Sequence, residues 1–299
     1  MQRAIQAILS QDTISLETSL GLDSSAARIE VQCLLQQVLG IPRAYLFAHP
    51  ERVLIDSETA TYAEKFQRRL CGEPIAYILG EREFFGMKFK VTPDTLIPRP
   101  ETELLVELAL ARMPPATTPL HSQPLGEYGV RGNICVLDLG TGSGAIALAV
   151  AHQRPDANVW ACDKSASALT VARENAQKLN ISNAHLVESN WFSSFSGQSF
   201  DIVLSNPPYI AITDEHLSKG DVRFEPISAL ASGTDGLDDI RFIISQAGTY
   251  LRHRGWLLLE HGYDQAEQVR ELLLNSEFSS VFSAKDLSGI ERCSGGQRL

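Results

Sequence analysis

The chain is short of the features that define several protein classes. Its five cysteines, at positions 33, 71, 135, 162 and 293, are odd in number, scattered and free of Cys-x-x-Cys spacing. That pattern argues against a disulfide framework and offers no zinc ligands, so buried, reduced thiols and no metal are expected. No apolar run reaches membrane-spanning length, and the opening Met1-Gln2-Arg3-Ala4-Ile5 starts no long apolar stretch. A soluble cytoplasmic protein without a membrane partner is therefore expected. Basic charge is scarce too: 26 Lys and Arg stand against 36 Asp and Glu, a formal net charge of -10. Phosphate neutralisation needs clustered cations, so a direct nucleic-acid partner is disfavoured. Arg68-Arg69 and Arg252-His253-Arg254 are local exceptions, each read first as solvated surface. Repeats and low-complexity tracts are absent. What remains, 299 residues that are 44% hydrophobic, suffices for two domains and a substantial core.

Among the motifs present, Asn206-Pro207-Pro208-Tyr209 is the most informative, because it follows the apolar run Phe200-Asp201-Ile202-Val203-Leu204-Ser205. The prolines forbid both helix and central strand and supply no N–H donors. They leave backbone carbonyls on a stiff turn beside the Asn206 carboxamide, with the ring of Tyr209 next to them. Such a turn suits a planar NH2 group. An amide or exocyclic amine is a weak nucleophile because its lone pair is delocalised. Two acceptors, the Asn206 side-chain oxygen and the Pro207 carbonyl, can hold both protons and leave that lone pair facing an electrophilic methyl group. Orientation and stabilisation of the charge growing on nitrogen then supply the rate, with no strong base. The plain alternative is a proline-rich turn closing a strand.

A second motif narrows the choice. Ile134-Cys135-Val136-Leu137-Asp138-Leu139 reads as a buried strand, Gly140-Thr141-Gly142-Ser143-Gly144 as a tight turn open to a ligand, and Ala145-Ile146-Ala147-Leu148-Ala149-Val150 as a helix. About 20 residues on, Val159-Trp160-Ala161-Cys162-Asp163 is a strand ending in a carboxylate, the placement that accepts both hydroxyls of a ribose. Gly140-x-Gly142-x-x-Ala145 also satisfies the loose dinucleotide fingerprint, which keeps a nicotinamide enzyme as a rival. Three features oppose it: the turn lies mid-chain, no arginine for a pyrophosphate is evident nearby, and Asp138 precedes the first glycine by two residues. A carboxylate there repels pyrophosphate and suits the cationic amino-acid end of S-adenosylmethionine, directly or through water.

Taken together, residues 138–144, Asp163 and residues 206–209 resemble the class I S-adenosylmethionine-dependent methyltransferases. More narrowly they resemble the release factor glutamine methyltransferases, the PrmC/HemK family. The likeness spans nearly the whole chain, through Gly72-Glu73-Pro74-Ile75-Ala76-Tyr77-Ile78-Leu79-Gly80, Glu83-Phe84-Phe85-Gly86, Leu96-Ile97-Pro98-Arg99-Pro100-Glu101-Thr102-Glu103, Glu225-Pro226-x-x-Ala229-Leu230 and Asp235-Gly236-Leu237. The Pro-Arg-Pro-Glu-Thr-Glu string is the most specific, since sister enzymes that methylate ribosomal protein uL3 carry a different segment there. The resemblance implies methyl transfer from S-adenosylmethionine to the glutamine side-chain nitrogen in the Gly-Gly-Gln motif of peptide chain release factors. It implies that Gly140, Thr141, Gly142, Ser143 and Gly144 wrap the cofactor, that Asp163 holds its ribose and that Trp191 lies by its adenine. Asn206 then borders cofactor and substrate and binds the glutamine amide, with Pro207, Pro208 and Tyr209 completing the pocket. One departure is Ser189-Asn190-Trp191, where the family usually has an acid before the aromatic; the Asn190 carbonyl can still accept from an adenine amino group. DNA or RNA amino-methyltransferases also use Asn-Pro-Pro-Tyr and remain an alternative, as do the uL3 enzymes and a cofactor-binding adaptor without catalysis.

The expected architecture is α/β: a class I, Rossmann-like, mostly parallel sheet with a helical bundle before it. The domains expected are a helical substrate-recognition domain over residues 1–82, a β-hairpin linker over 83–95 and a methyltransferase domain over 96–299. Asp23-Ser24-Ser25 is a cap signal for a helix carrying Ile29, Cys33, Leu34, Leu35, Val38 and Leu39, which Gly40-Ile41-Pro42 stops. Asp56-Ser57 is expected to start another, with Ala60, Ala63, Phe66 and Leu70 on its inner side. Residues 104–113 read as a helix, residues 114–132 as a loop, and strands and helices alternate from residue 133. The polar segment 211–239 is expected to shape the substrate pocket, with Arg223, Glu225 and Asp235 as partner contacts. Gly295-Gly296-Gln297 repeats the family's target motif by chance, in what reads as a flexible tail.

Overall fold

The computed structural model describes residues 2–115 and 134–299. The loop expected over residues 114–132 therefore lies, from residue 116 on, outside the described residues. The chain divides into two compact units, Met1–Glu81 with Ser218–Phe224 and Arg82–Leu217 with Glu225–Leu299.

The first unit is helical: α1 (Ile5–Leu20), α2 (Ser24–Leu39), α3 (Arg43–Ala48), α4 (Asp56–Leu70) and α5 (Ile75–Leu79). Asp23 caps α2 by accepting from the Ser25 and Ala26 amides, and Gly40 ends it in the left-handed region. α4 starts at Asp56 as expected, with its cap supplied by the residue before it. Ile55 occupies the cap position, and the Glu58 carboxylate accepts from its amide at 3.0 Å. The inner face of α4 agrees in part: Phe66 and Leu70 pack against the helical core, whereas Ala60, Ala63 and, on α2, Ile29 are exposed, and the buried α4 residues are Tyr62 and Arg69. Both are polar residues held by side-chain partners. Arg69 pairs with Glu30 at 2.6 Å and Asp221 at 3.0 Å, and the Tyr62 hydroxyl donates to Asp12 at 2.9 Å. Apolar periodicity cannot find a face whose burial rests on such pairs.

The second unit opens with the expected hairpin, β1 (Glu81–Phe84) and β2 (Met87–Lys90). Phe85 and Gly86, at φ 52° and 75°, form a turn with two left-handed residues, the kind that matches strand twist. Then follow α6 (Glu103–Arg112), β3 (Cys135–Leu139), α7 (Ala145–Gln153), β4 (Asn158–Asp163), α8 (Ala166–Lys178), β5 (Ala184–Glu188), β6 (Phe200–Ser205), α9 (Asp238–Tyr250), β7 (Leu251–Glu260), α10 (Ala266–Asn275), β8 (Phe278–Lys285) and β9 (Glu291–Arg298). The sheet order is β5-β4-β3-β6-β7-β9-β8. Strands β3 to β7 pair in parallel, whereas β9 runs antiparallel to β7 and to β8. From β3 the chain winds to one side through β4 and β5, then returns to β6 on the other. That reversal opens a crevice at the carboxyl ends of β3 and β6, where open α/β sheets bind ligands. The buried Asn175 of α8 braces the hairpin against this end of the sheet. It exchanges hydrogen bonds with the Lys90 backbone at 2.7 and 3.0 Å and donates to the Ser143 carbonyl at 2.9 Å.

Two expectations are overturned here. Gly295-Gly296-Gln297 is no flexible tail: it lies in β9, where Gly295 pairs with Leu258, Gly296 with Leu257 and Gln297 with Trp256. A Cβ on Gly295 would come within 2.6 Å of the Leu257 carbonyl oxygen, so the glycines are needed for close packing and the segment is sheet. Nor are all the cysteines buried. Cys162 and Cys293 are, Cys33 and Cys135 are half-buried, and Cys71 is exposed; all five are free.

Candidate active site

Five parallel strands aim their carboxyl ends at one edge, and the register brings Leu139, Cys162, Ser205 and Leu259 level across it. The next residues are therefore gathered by backbone pairing alone: Gly140 after β3, Asp163 closing β4, Asn206 after β6 and Glu260 closing β7. A cleft with about 930 Å³ of empty space, its mouth included, lies over this edge. Its lining includes Gly140, Gly142, Asp163, Asn190, Trp191, Asn206 and Pro208.

The glycine turn splits into two functions. Gly140 and Gly142, at φ 71° and 55°, face the cleft. Thr141, Ser143 and Gly144 are spent on building the turn. The Thr141 hydroxyl donates to Asp138 at 2.6 Å, the Ser143 carbonyl accepts from Asn175, and a Cβ on Gly144 would stand 3.0 Å from Leu148 and 3.2 Å from Ala172. Asp138 is fully buried and does not line the cleft, so a direct grip on a ligand's ammonium is not what it offers here. Burial pushes its carboxyl up to about 7 against the hydrogen bond from Thr141 and the Ala147 amide.

Asp163 is placed by two amides, Gly142 N–H to Oδ2 and Ser165 N–H to Oδ1, each at 2.9 Å. One accepted bond per oxygen leaves a lone pair on each for ligand hydroxyls. Trp191 stands in the left-handed region at φ 51°, held by the Ser189 hydroxyl on its carbonyl at 2.7 Å. Its ring would lie 3.4 Å from a Cβ on Gly140, so ring and turn form one continuous wall. Asn190 is exposed at the cleft rim.

Asn206 donates through Nδ2 to the Thr102 hydroxyl at 3.2 Å, which leaves Oδ1 as the atom available to a ligand. The two prolines diverge: Pro208 lines the cleft, whereas Pro207 is buried behind it. Tyr209 packs its ring on the core and donates its hydroxyl to Glu260 Oε1 at 3.3 Å. The turn backbone is fixed from the following loop, with the Tyr209 and Ile210 amides both on the Leu230 carbonyl at 3.2 and 2.9 Å.

Glu225 is no partner contact. Its side chain is fully buried, pairs with Arg99 and accepts from the Ile97 amide at 3.0 Å. It thereby ties the chain just after residues 93–96 to the chain just before Pro226, Ser228 and Ala229, all of which line the cleft. Asp235 is likewise engaged by Arg241 and the Leu237 amide, and Arg223 donates to the Cys71 carbonyl at 3.2 Å. In the two basic stretches, Arg68 pairs with Glu73, Arg69 is buried, and Arg252 pairs with Asp201 at 2.6 Å, while His253 and Arg254 are exposed. Sequence reasoning passed over Thr102 and Glu260. Thr102 sat inside a string noticed only as a signature, and Glu260 ends a strand with a carboxylate just as Asp163 does.

Comparison with known proteins gives a consistent result. Residues 129–221 match the methyltransferase small domain family, and residues 19–80 match the PrmC N-terminal domain. The chain is 46% identical over 275 residues to the release factor glutamine methyltransferase of Salmonella typhimurium, covering 92% of this chain and 94% of that one. It is 48% identical over 282 residues to the protein of that name from Burkholderia pseudomallei, covering 92% of each. Among solved structures, a methyltransferase from Pyrococcus furiosus superposes with a TM-score of 0.51 at 18% identity, over 79% of this chain and 98% of that one, a likeness of fold.

Proposed function

Since the chain belongs to the release factor glutamine methyltransferase family, we propose that it transfers a methyl group from S-adenosylmethionine to a glutamine side-chain nitrogen of peptide chain release factors, at their Gly-Gly-Gln motif. The observation that carries the site assignment is Asn206, whose NH2 is committed to Thr102 so that Oδ1 is left for the substrate amide. The cleft fits the cofactor. Gly140 and Gly142 give a side-chain-free wall, Trp191 a flat surface for the adenine, and Asp163 two carboxylate oxygens with spare lone pairs for the ribose. When bound, S-adenosylmethionine supplies an electrophilic methyl group on a sulfonium.

The protein's part is binding and orientation. Asn206 Oδ1 accepts an amide proton of the glutamine, holding its nitrogen so that the lone pair faces the methyl group, while Pro207, expected from the sequence to supply a second acceptor, is buried and supports the turn. An acceptor on that proton stabilises the positive charge that grows on nitrogen, and the proton lost after transfer needs no strong base. Pro208 and Tyr209 keep the turn stiff, so little ordering is left for the moment of reaction. We assign substrate recognition to the helical unit and place the enzyme in the cytoplasm. Among the described residues, no helix is long and apolar enough to cross a membrane. The nucleic-acid reading is weakened because Arg68, Arg69 and Arg252 are engaged by carboxylates.

The decisive experiment supplies labelled cofactor with purified release factor, ribosomal protein uL3, DNA and rRNA in parallel. Label on the release factor glutamine alone is expected; label on DNA, rRNA or uL3 would overturn the assignment. A second expectation concerns Asp163. Asp163→Ala removes an acceptor for cofactor hydroxyls and frees the Gly142 amide. It should weaken S-adenosylhomocysteine binding by about 10- to 100-fold, the worth of one or two hydrogen bonds to a charged acceptor. Calorimetric titration reads this directly, and an unchanged affinity would remove Asp163 from the site.

A further inference from the structure

We infer that Gln265 is a positioning residue for methyl transfer: its side-chain carboxamide clamps the Tyr209 end of the Asn206-Pro207-Pro208-Tyr209 turn and so fixes where Asn206 stands. The inference rests on the reading of Asn206 as the group that grips the substrate amide. Gln265 is buried and does not line the cleft. It occupies the position just before α10, where a short polar side chain is the usual helix cap, yet it makes no cap hydrogen bond. Its carboxamide is turned to other partners. Oε1 accepts from the Gly262 amide at 2.8 Å, and Nε2 donates to the Tyr209 carbonyl at 3.0 Å and the Asp235 carbonyl at 3.3 Å. All three partners are backbone groups. A backbone N–H only donates and a backbone carbonyl only accepts, so together they leave the amide a single orientation. The main chain of Gln265 is pinned as well, its amide donating to the Gly262 carbonyl at 3.1 Å.

The fold makes room for this group with glycine on two sides. A Cβ on Gly262 would stand 3.0 Å from Gln265 Oε1, and one on Gly236 would stand 2.8 Å from Nε2. The carboxamide thus joins three segments: the turn after β6, the segment before α9 and the segment between β7 and α10. Of these, the turn carries the residue assigned to the substrate. Its near end is anchored by the pairing of Ser205 with Leu259. Between Asn206 and Tyr209 stand two prolines, whose rings lock φ near about -65°. Few torsions are left free, so a hold on the Tyr209 carbonyl is passed back to Asn206. The Leu230 carbonyl holds the Tyr209 and Ile210 amides, and Gln265 holds the carbonyl side of the same residue.

Five proteins test this with a release factor substrate: wild type, Asn206→Ala, Gln265→Met, Gln265→Glu and the double variant Asn206→Ala with Gln265→Glu. Methionine keeps the length of the side chain and removes its donor. Ionised glutamate keeps the shape and the Gly262 bond but turns an acceptor toward two carbonyls. Titration with S-adenosylhomocysteine counts the intact cofactor sites, and kcat is expressed per site. Each Gln265 variant should lower kcat per site on the order of 10-fold, with KM for the release factor and the affinity for S-adenosylhomocysteine within about 2-fold of wild type. Because Gln265 acts through Asn206, the double variant should be no slower than Asn206→Ala alone. If Asn206→Ala is harmless, the underlying reading of the site fails. If Asn206→Ala is severe while both Gln265 variants keep the wild-type kcat per site, the site reading stands and this inference falls. Losses that multiply in the double variant, or that show only as fewer cofactor sites, would also overturn it and leave Gln265 a purely structural residue. Where one Gln265 substitution prevents folding, the other carries the test, alone and combined with Asn206→Ala.

Discussion

Replacing Asn206 with alanine is expected to lower methyl transfer by on the order of 100-fold while leaving cofactor affinity nearly intact, the size of effect seen when one oriented polar group is lost from a transition state. The expectation follows from how Asn206 is held. Its NH2 is satisfied by Thr102, so the side chain is fixed before substrate arrives and its oxygen has no reorganisation left to undergo. The residues proposed above to contact the cofactor are instead Gly140, Gly142, Asp163 and Trp191, which line the same cleft. Single-turnover kinetics with the release factor, beside titration of S-adenosylhomocysteine, separates the two quantities. Equal damage to both would mean that Asn206 shapes the cofactor pocket and does not orient the glutamine.

The second large effect is expected at a residue that touches neither ligand. Gly236 lies at φ 80° against the backbone of Tyr209, where an added Cβ would overlap the Tyr209 carbonyl oxygen and stand 2.8 Å from Gln265 Nε2. That same Gln265 nitrogen donates to the Tyr209 carbonyl at 3.0 Å and to the Asp235 carbonyl at 3.3 Å. A methyl group there forces the loop away from the turn that carries Asn206. Left-handed strain and overpacking together should cost about 2–4 kcal/mol in Gly236→Ala. The melting temperature should fall by roughly 5–15 °C, with turnover reduced at temperatures where the fold survives. Gly289 is the control, at φ 81° with nothing within 4 Å of its Cβ position. Gly289→Ala carries the backbone strain alone and should lose only about 1–2 kcal/mol. Equal losses at the two positions would show that close approach to Tyr209 is irrelevant.

Much of the catalytic unit was legible in the residues, and for one reason. Parallel strands buried on both faces are near-continuous apolar runs, and the turns at their ligand ends are punctuated by Gly, Asp, Asn and Pro. Cys135–Leu139, Asn158–Asp163 and Phe200–Ser205 fall where the apolar runs put them. The helical unit was legible in its elements and less so in its faces. α4 buries Tyr62 and Arg69 and exposes Ala60 and Ala63, because its interior is closed by hydrogen bonds and ion pairs with residues as distant in sequence as Asp12 and Asp221. Gly295-Gly296-Gln297 was misread for a related reason. Glycine suggests flexibility locally, yet here it admits the neighbouring strand β7 and the ring of Phe278 to close range.

The sequence by itself determined the chemistry available to this protein: a glycine turn, a strand-end acid and an amide on a proline turn, in an order that only an alternating α/β fold brings together. Tertiary structure alone decided which of these side chains reach the cleft and which way they face. Thr141 and Ser143 turned inward, Glu225 became a buried tie between cleft walls, and Thr102 came to meet Asn206 across 104 positions of chain. The reason is physical. Covalent sequence specifies donors and acceptors, whereas their orientation is set by whichever partners the fold buries beside them, and in a dry interior every such partner must be matched.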